Sequence, residues 1–339
     1  MKINTEKFKQ ALSIVKPGLS NKDIIEQATK FVFMEGKLVT FNDEISIQHP
    51  LEELDFTGAV NSDELYKLVS RLKTEETEIN HKDNELVFKA GRIKAGIILH
   101  KEINLPLEEI DEKQGEWKKL PKDFTQGLKF VVGSCSSDMS SQIITCVNIT
   151  GNTVSGSDRF RIARYEFKKD LPFETLIPAK TVKDLINFKP ALVAKGSGGW
   201  LHFKDAQDVV FSCRILNEKY PNCDFLFEMK KPRVVALPPS LPEILERVTI
   251  FTDGDTQLDE RVSVSFLKNK MVVESSSAVG WIKETEKIEY SDKDLDFIIS
   301  PYLFRDIVKN NNTMKVTKDK VMFEDKNWKY VAALVIKSE

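Results

Sequence analysis

Apolar residues recur along this chain at helical spacing in six short stretches, and the six fall into two series of three. In EKFKQALSIVK (6–16) the repeating positions are Phe8, Leu12 and Val15; in KDFTQGLKFVV (122–132) they are Phe124, Leu128 and Val131; in SLPEILERV (240–248) they are Leu241, Leu245 and Val248. Steps of three and four residues put each triplet on one face of a helix. The second series begins as a strand and runs into a helix: FTGAVNSDELYKLVSRL from Phe56, ETLIPAKTVKDLINF from Glu174 and DFIISPYLFRDIVKN from Asp296. Val60, Ile177 and Ile299 end the strands. Asn61, Pro178 and Ser300 take the helix-entry position, where Asn or Ser can cap and Pro fixes a compatible φ. The buried faces then align as Leu65, Leu68 and Val69, as Val182, Leu185 and Ile186, and as Phe304, Ile307 and Val308. Both series recur at roughly 120 residues in the same order, which predicts three copies of one unit.

Alternating segments that read as strands lie between the helices: 37–42, 85–90, 200–205, 209–216, 262–275 and 314–325. The fold class is therefore α+β, with two helices packed on antiparallel sheet in each of three tandem domains. Joins rich in charge or proline fall near 108–115 and 230–239, giving domains 1–112, 113–234 and 235–339. The run GSGG (196–199) precedes a strand instead of a helix, so it reads as a hairpin turn and not a phosphate loop.

Composition narrows the function. The 339 residues carry a net charge of −2 with 30% charged side chains, unlike a domain that grips DNA by overall charge, so any DNA affinity must come from a local positive surface. No apolar run is long enough to cross a membrane and MKINTEKFKQ lacks a signal-peptide core, which predicts a cytoplasmic protein. Cys135, Cys146, Cys213 and Cys223 form no CxxC pair, and His49, His81, His100 and His202 show no ligand spacing, so no metal is expected. Nucleotide-binding, hydrolase and metalloprotease motifs are missing, and the paired acids read as solvent-facing charge. The expectation is a non-enzyme without cofactors.

Several segments resemble the bacterial beta sliding clamp, the DNA polymerase III beta subunit, along essentially the whole length. VSGSDRFRIARYEF (154–167) is similar to the family's VATDGHRLA segment, through Ser157, Asp158, Arg161, Ile162 and Ala163. ETLIPAKTVKDLI is similar to VIVPRKGVxEL, and SCRILNEKYPNCDFLF (212–227) resembles the segment ending FPDYRRVLP, with Tyr220-Pro221 for Phe-Pro; RVTIFT (247–252) is similar to RAAILS. The chain departs from the pattern at Arg159-Phe160, where the family has Gly-His, and in its ending AALVIKSE. These departures suggest a divergent member, of a kind carried by phages or mobile elements.

The resemblance implies a non-catalytic processivity factor: a head-to-tail homodimer ring of six domains that encircles duplex DNA without reading sequence and tethers a polymerase. A sliding ring needs positive helices facing phosphate. Among the basic residues on or beside the repeated helices, which also include Lys7, Lys9, Lys16 and Lys309, are Lys67, Arg71, Lys122, Lys129, Lys180, Lys183, Arg247 and Arg305, and Lys22 and Lys94 match DNA-contacting positions of the family. A cleft for peptides of polymerase and clamp loader, apolar in the manner of QLxLF, maps onto Ile144, Ser157, Arg159, Phe160, Arg161, Ile162, Pro221, Phe225, Leu226, Ser300, Leu303, Val331, Ala333, Leu334 and Val335. Ring closure maps onto Ala95 and Ile97 in RIKAGIIL (92–99) and onto Ile250 and Phe251. The alternative is a clamp-like protein that binds a polymerase or host replication factor without encircling DNA.

Overall fold

The computed structural model describes residues 1–22, 24–111 and 115–335. The expected domain boundary at 112/113 and the divergent ending from residue 336 lie outside the described residues. The chain forms two compact units, one of residues 1–126 with 171–218 and one of 127–170 with 219–339.

Both helix series are present. The first comprises α1 (Thr5–Val15), α4 (Phe124–Val132) and α6 (Leu241–Val248), the second α2 (Ser62–Arg71), α5 (Ala179–Phe188) and α7 (Pro301–Val308), and α3 (Glu108–Asp111) is a single turn. All nine apolar positions of the first series are at most 1% exposed. In the second series Leu68 and Ile186 are half-buried and the rest are buried. Asn4 caps α1 by accepting from the Lys7 N–H at 2.9 Å, and Asn61 caps α2 by accepting from Asp63 at 3.0 Å. Ser300 departs from the sequence expectation, because its hydroxyl donates instead to the Gln257 carbonyl at 3.2 Å and leaves the entry of α7 to Pro301. Gly127, an unfavourable helix residue, is explained by packing: a Cβ there would lie 2.6 Å from Phe167 and 3.0 Å from Tyr165.

In the first unit a twelve-stranded antiparallel sheet joins two repeats edge to edge. Ile45–Pro50 of the first repeat pairs with Val210–Arg214 of the second, in the register Gln48↔Val210 to Ile45↔Cys213. Ile45, Ile47, Phe211 and Cys213 are buried on one face of this pairing, and Ser46 and Ser212 are buried on the other. Trp200 packs with Val32, Val39 and Phe41 beneath the same sheet.

The second unit repeats the device. Arg161–Glu166 pairs with Trp328–Ala333, in a register that sets Ile162 opposite Val331 and Tyr165 opposite Trp328. A separate four-stranded sheet runs in the order Gly280–Lys287, Lys270–Ser277, Val262–Leu267, Leu295–Ile299. Two long strands read from the sequence are hairpins: 262–275 turns at Asn269, whose φ is 57°, and 314–325 turns between Val316 and Lys320. Asn tolerates the left-handed conformation such a turn requires.

The joint in the first unit should behave as core. Phe211 is 1% exposed and its ring centroid lies 5.3 Å from that of Phe188. Phe211→Ala is expected to cost about 3–5 kcal/mol, read as a lower urea midpoint. An unchanged midpoint would remove the joint from the folded core.

Candidate functional site

Nine of the ten basic candidates are exposed, and Arg305 is half-buried over the Tyr302 ring. Lys22 sits in the loop after α1, where the Ser20 hydroxyl donates to its carbonyl at 2.7 Å. Lys67 and Arg71 are on α2, Lys122 precedes α4, Lys129 is on it, Lys180 and Lys183 are on α5, and Arg247 is on α6. Lys94 belongs to the strand Ile93–His100. Three of the set are met by carboxylates: Lys67 by Asp63 at 3.5 Å, Lys180 by Glu44 at 3.1 Å, and Arg247, whose Nε lies 3.0 Å from Glu284. Hydrogen bonds from Arg247 hold the Glu284 carboxyl below its ordinary range. Exposed pairs of this kind contribute about 0.2–1 kcal/mol each, so a phosphate can compete for the cation. Lys22, Arg71, Lys94, Lys122, Lys129 and Lys183 make no ion pair among the described residues.

The turn Ser157–Arg161 is tightly built. Asp158 accepts from the Phe160 and Arg161 backbone N–H groups at 3.1 and 3.0 Å and from Arg161 Nε at 2.9 Å, and Ser157 Oγ donates to the Arg161 carbonyl at 2.7 Å. Arg159, standing where the resembled segment has Gly, adopts φ 77°, so this residue carries backbone strain that glycine would avoid. The Arg161 guanidinium reaches past the turn. It donates to the Gly133 carbonyl at 2.6 Å, just beyond the end of α4, and to Asp306 of α7 at 3.2 Å. Its side chain is 12% exposed and that of Asp158 only 4%. Tyr330, whose hydroxyl donates to the Leu303 carbonyl at 3.3 Å, is pushed well above the usual phenol range by burial.

The apolar cleft candidates divide by depth. Ser157, Ile162, Ser300, Leu303, Val331 and Leu334 are buried; Ile144, Phe160, Arg161 and Leu226 are half-buried; Arg159, Pro221, Phe225, Ala333 and Val335 are exposed. Ile162, Val331 and Met322 form one cluster, against which Leu226, Phe227, Met229 and Cys223 pack. Ile162 and Val331 are thus buried beneath Leu226, Phe227, Met229 and Cys223. Pro221 and Ile144 are not among the residues of that cluster.

Ile250, expected from the sequence, is 67% exposed, and at and beside the open strands the structure adds residues the sequence reading missed: Ile93 is 46% exposed, Ile98 68%, Val279 85% and Trp281 72%. Ala95, Ile97 and Phe251 are only half-buried. The strand Ile93–His100 pairs along Glu85–Ala90 but meets Gly58–Asn61 only through Leu99 and His100, and Gly280–Lys287 is the last strand of its sheet. The alternation in GWIKETEK carried the signal for Trp281, which falls on the face opposite the covered one.

No family model matches the sequence, and no curated protein matches it by sequence. Solved structures do. The DNA polymerase sliding clamp of Bacillus subtilis aligns over 99% of both chains at TM-score 0.82 and 17% identity. The DNA polymerase III beta subunit of Thermotoga maritima aligns over 99% of both at 0.81 and 18%. A sliding clamp of Bartonella birtlesii, solved bound to griselimycin, aligns over 99% of this chain and 98% of its own at 0.86 and 13%. The chain has the sliding-clamp fold.

Arg161 is expected to matter for stability before any ligand is present. Arg161→Ala leaves the Asp158 carboxylate buried without its cation and should cost about 3–5 kcal/mol in urea unfolding. Asp306→Asn, at an acid whose side chain is 58% exposed, should cost less than about 1 kcal/mol. Equal losses would show that the buried pair is not what holds the turn.

Proposed function

We propose that this protein is a DNA sliding clamp: a non-catalytic processivity factor that encircles duplex DNA as a head-to-tail homodimer and tethers a polymerase and other clamp-binding proteins. Its three domains are 1–112, 113–234 and 235–339. The reading rests on agreement of fold over nearly the entire chain with sliding clamps of several bacteria. In this reading Lys22, Arg71, Lys94, Lys122, Lys129 and Lys183 offer phosphate weak, sequence-independent attraction, and Lys67, Lys180 and Arg247 join when their carboxylates yield. A ring held by topology needs no more than that, in keeping with a net charge of −2. Leu226, packed against Ile162 and Val331, together with Phe160, Phe225 and Val335, offers the apolar side chains that anchor a partner peptide. Among the described residues no helix is long and apolar enough to cross a membrane. The same fold used without encircling DNA would have no need of two free strand edges bearing exposed Ile98 and Trp281, which favours closure.

Topological holding has a distinctive signature. Loaded by a clamp loader onto nicked circular DNA, the protein should co-elute with the circle on gel filtration in salt that removes ordinary phosphate binders, and should be lost once a restriction enzyme opens the circle. Persistence on the linear product with open ends would overturn encirclement.

A further inference from the structure

Beside the exposed ring of Phe225 the second unit contains a groove of about 740 Å³ that the sequence reading did not assign. Its lining is mixed. Lys230, Lys231 and Arg233, from the segment after Met229, face Lys318 and Lys320 of the turn between Thr313–Val316 and Lys320–Asp325, while Phe225, Met229, Leu295 and Val316 supply apolar surface. Five cations stand against three carboxylates, Glu228, Asp296 and Asp319, in a protein whose charges otherwise nearly cancel.

Two of the cations serve the groove's own walls. Lys320 Nζ donates to the Leu226 carbonyl at 2.9 Å, and Arg233 donates to the carbonyls of Lys293 and Asp294 at 2.8 and 3.0 Å. Lys230, Lys231 and Lys318 are exposed and make no ion pair among the described residues. Lys231 also stands at φ 50°, in the left-handed region that a lysine adopts at some expense in strain. The backbone thus places three uncommitted ammonium groups around one opening. One groove wall, Arg233–Ala236, is the last strand of its sheet and leaves Val234 59% exposed.

We infer that this groove takes an acidic peptide segment of a clamp-binding partner, lying next to the apolar residues that fill the cleft at Leu226. The inference rests on the cleft reading proposed above and names the kind of partner that site selects. A duplex is the poorer occupant: Glu228, Asp296 and Asp319 would oppose a phosphate backbone, whereas side chains of a peptide can pass them and still meet Lys230, Lys231 and Lys318. The volume lies within the range of sites that enclose a ligand, and Phe225, whose carbonyl lies 3.5 Å from Lys320 Nζ, is common to groove and cleft.

Fluorescence anisotropy at low salt tests this with three labelled peptides: an apolar QLxLF-type core alone, the core followed by four acidic residues, and the acidic residues alone. A short duplex labelled in the same way is the fourth probe. Each is titrated into wild type and into a Lys230→Glu, Lys231→Glu, Lys318→Glu variant, all three sites being exposed and free of structural bonds. The acidic extension should tighten binding of the core about tenfold in wild type and not at all in the variant, with core binding itself unchanged. A core that binds both proteins with no effect of the extension overturns the groove and leaves the cleft standing. Acidic residues that bind wild type alone while the core binds neither protein uphold the groove and remove the cleft. A duplex that outcompetes the acidic peptide through the same three lysines overturns the choice of a peptide as occupant.

Discussion

A strand at the edge of a sheet carries a row of N–H and C=O groups that must be bonded to something, and an unpaired edge with apolar side chains recruits another chain. In this protein that constraint is met twice in the same way. Ile45–Pro50 is bonded to Val210–Arg214, and Arg161–Glu166 to Trp328–Ala333, so each joint turns two edges into continuous sheet. Among the edges left open are most of one side of Ile93–His100 and the outer side of Gly280–Lys287, and these bear Ile98 and Trp281 facing solvent. Edges of this kind are available for pairing with another chain.

The helices answer a different demand. Their buried faces are mostly apolar and their exposed faces carry lysine and arginine alongside acids, a pattern suited to a surface that attracts phosphate without gripping it. Ion pairs with Asp63, Glu44 and Glu284 lower the local potential and would keep such a contact loose. Arg161 links the sheet joint to this layer: one buried guanidinium binds Asp158 in its own turn, the end of α4 and the side of α7. The buried pair Ile162 and Val331, against which Leu226 and Phe227 pack, lies in the strand pair beside it.

Much of this was legible in the sequence, for identifiable reasons. A helix with Phe8, Leu12 and Val15 on one face has few alternatives, and its recurrence at Phe124 and Leu241 exposed the triplication. The hairpins at Asn269 and at 317–319 were read as single strands because polar turn residues preserved the alternation of their flanks. Depth among the cleft candidates was hidden for a related reason: an apolar residue reads alike whether it ends in the core or at the surface, and only packing separates buried Ile162 from exposed Phe225. Arg247 and Glu284 lie 37 residues apart, beyond any local pattern, and so do the lysines of the cationic groove, which come from two distant segments.

Whether the edges at Ile98 and Trp281 complete one another can be decided by sedimentation velocity on a mixture. One variant carries Ile98→Asp on the first edge and the other Trp281→Asp on the last. Head-to-tail pairing leaves each variant alone without an intact joint, so both should sediment as monomers, and mixing them should restore one joint and yield a two-chain species. A variant that stays dimeric alone, or a mixture that stays monomeric, would contradict pairing of the first edge with the last.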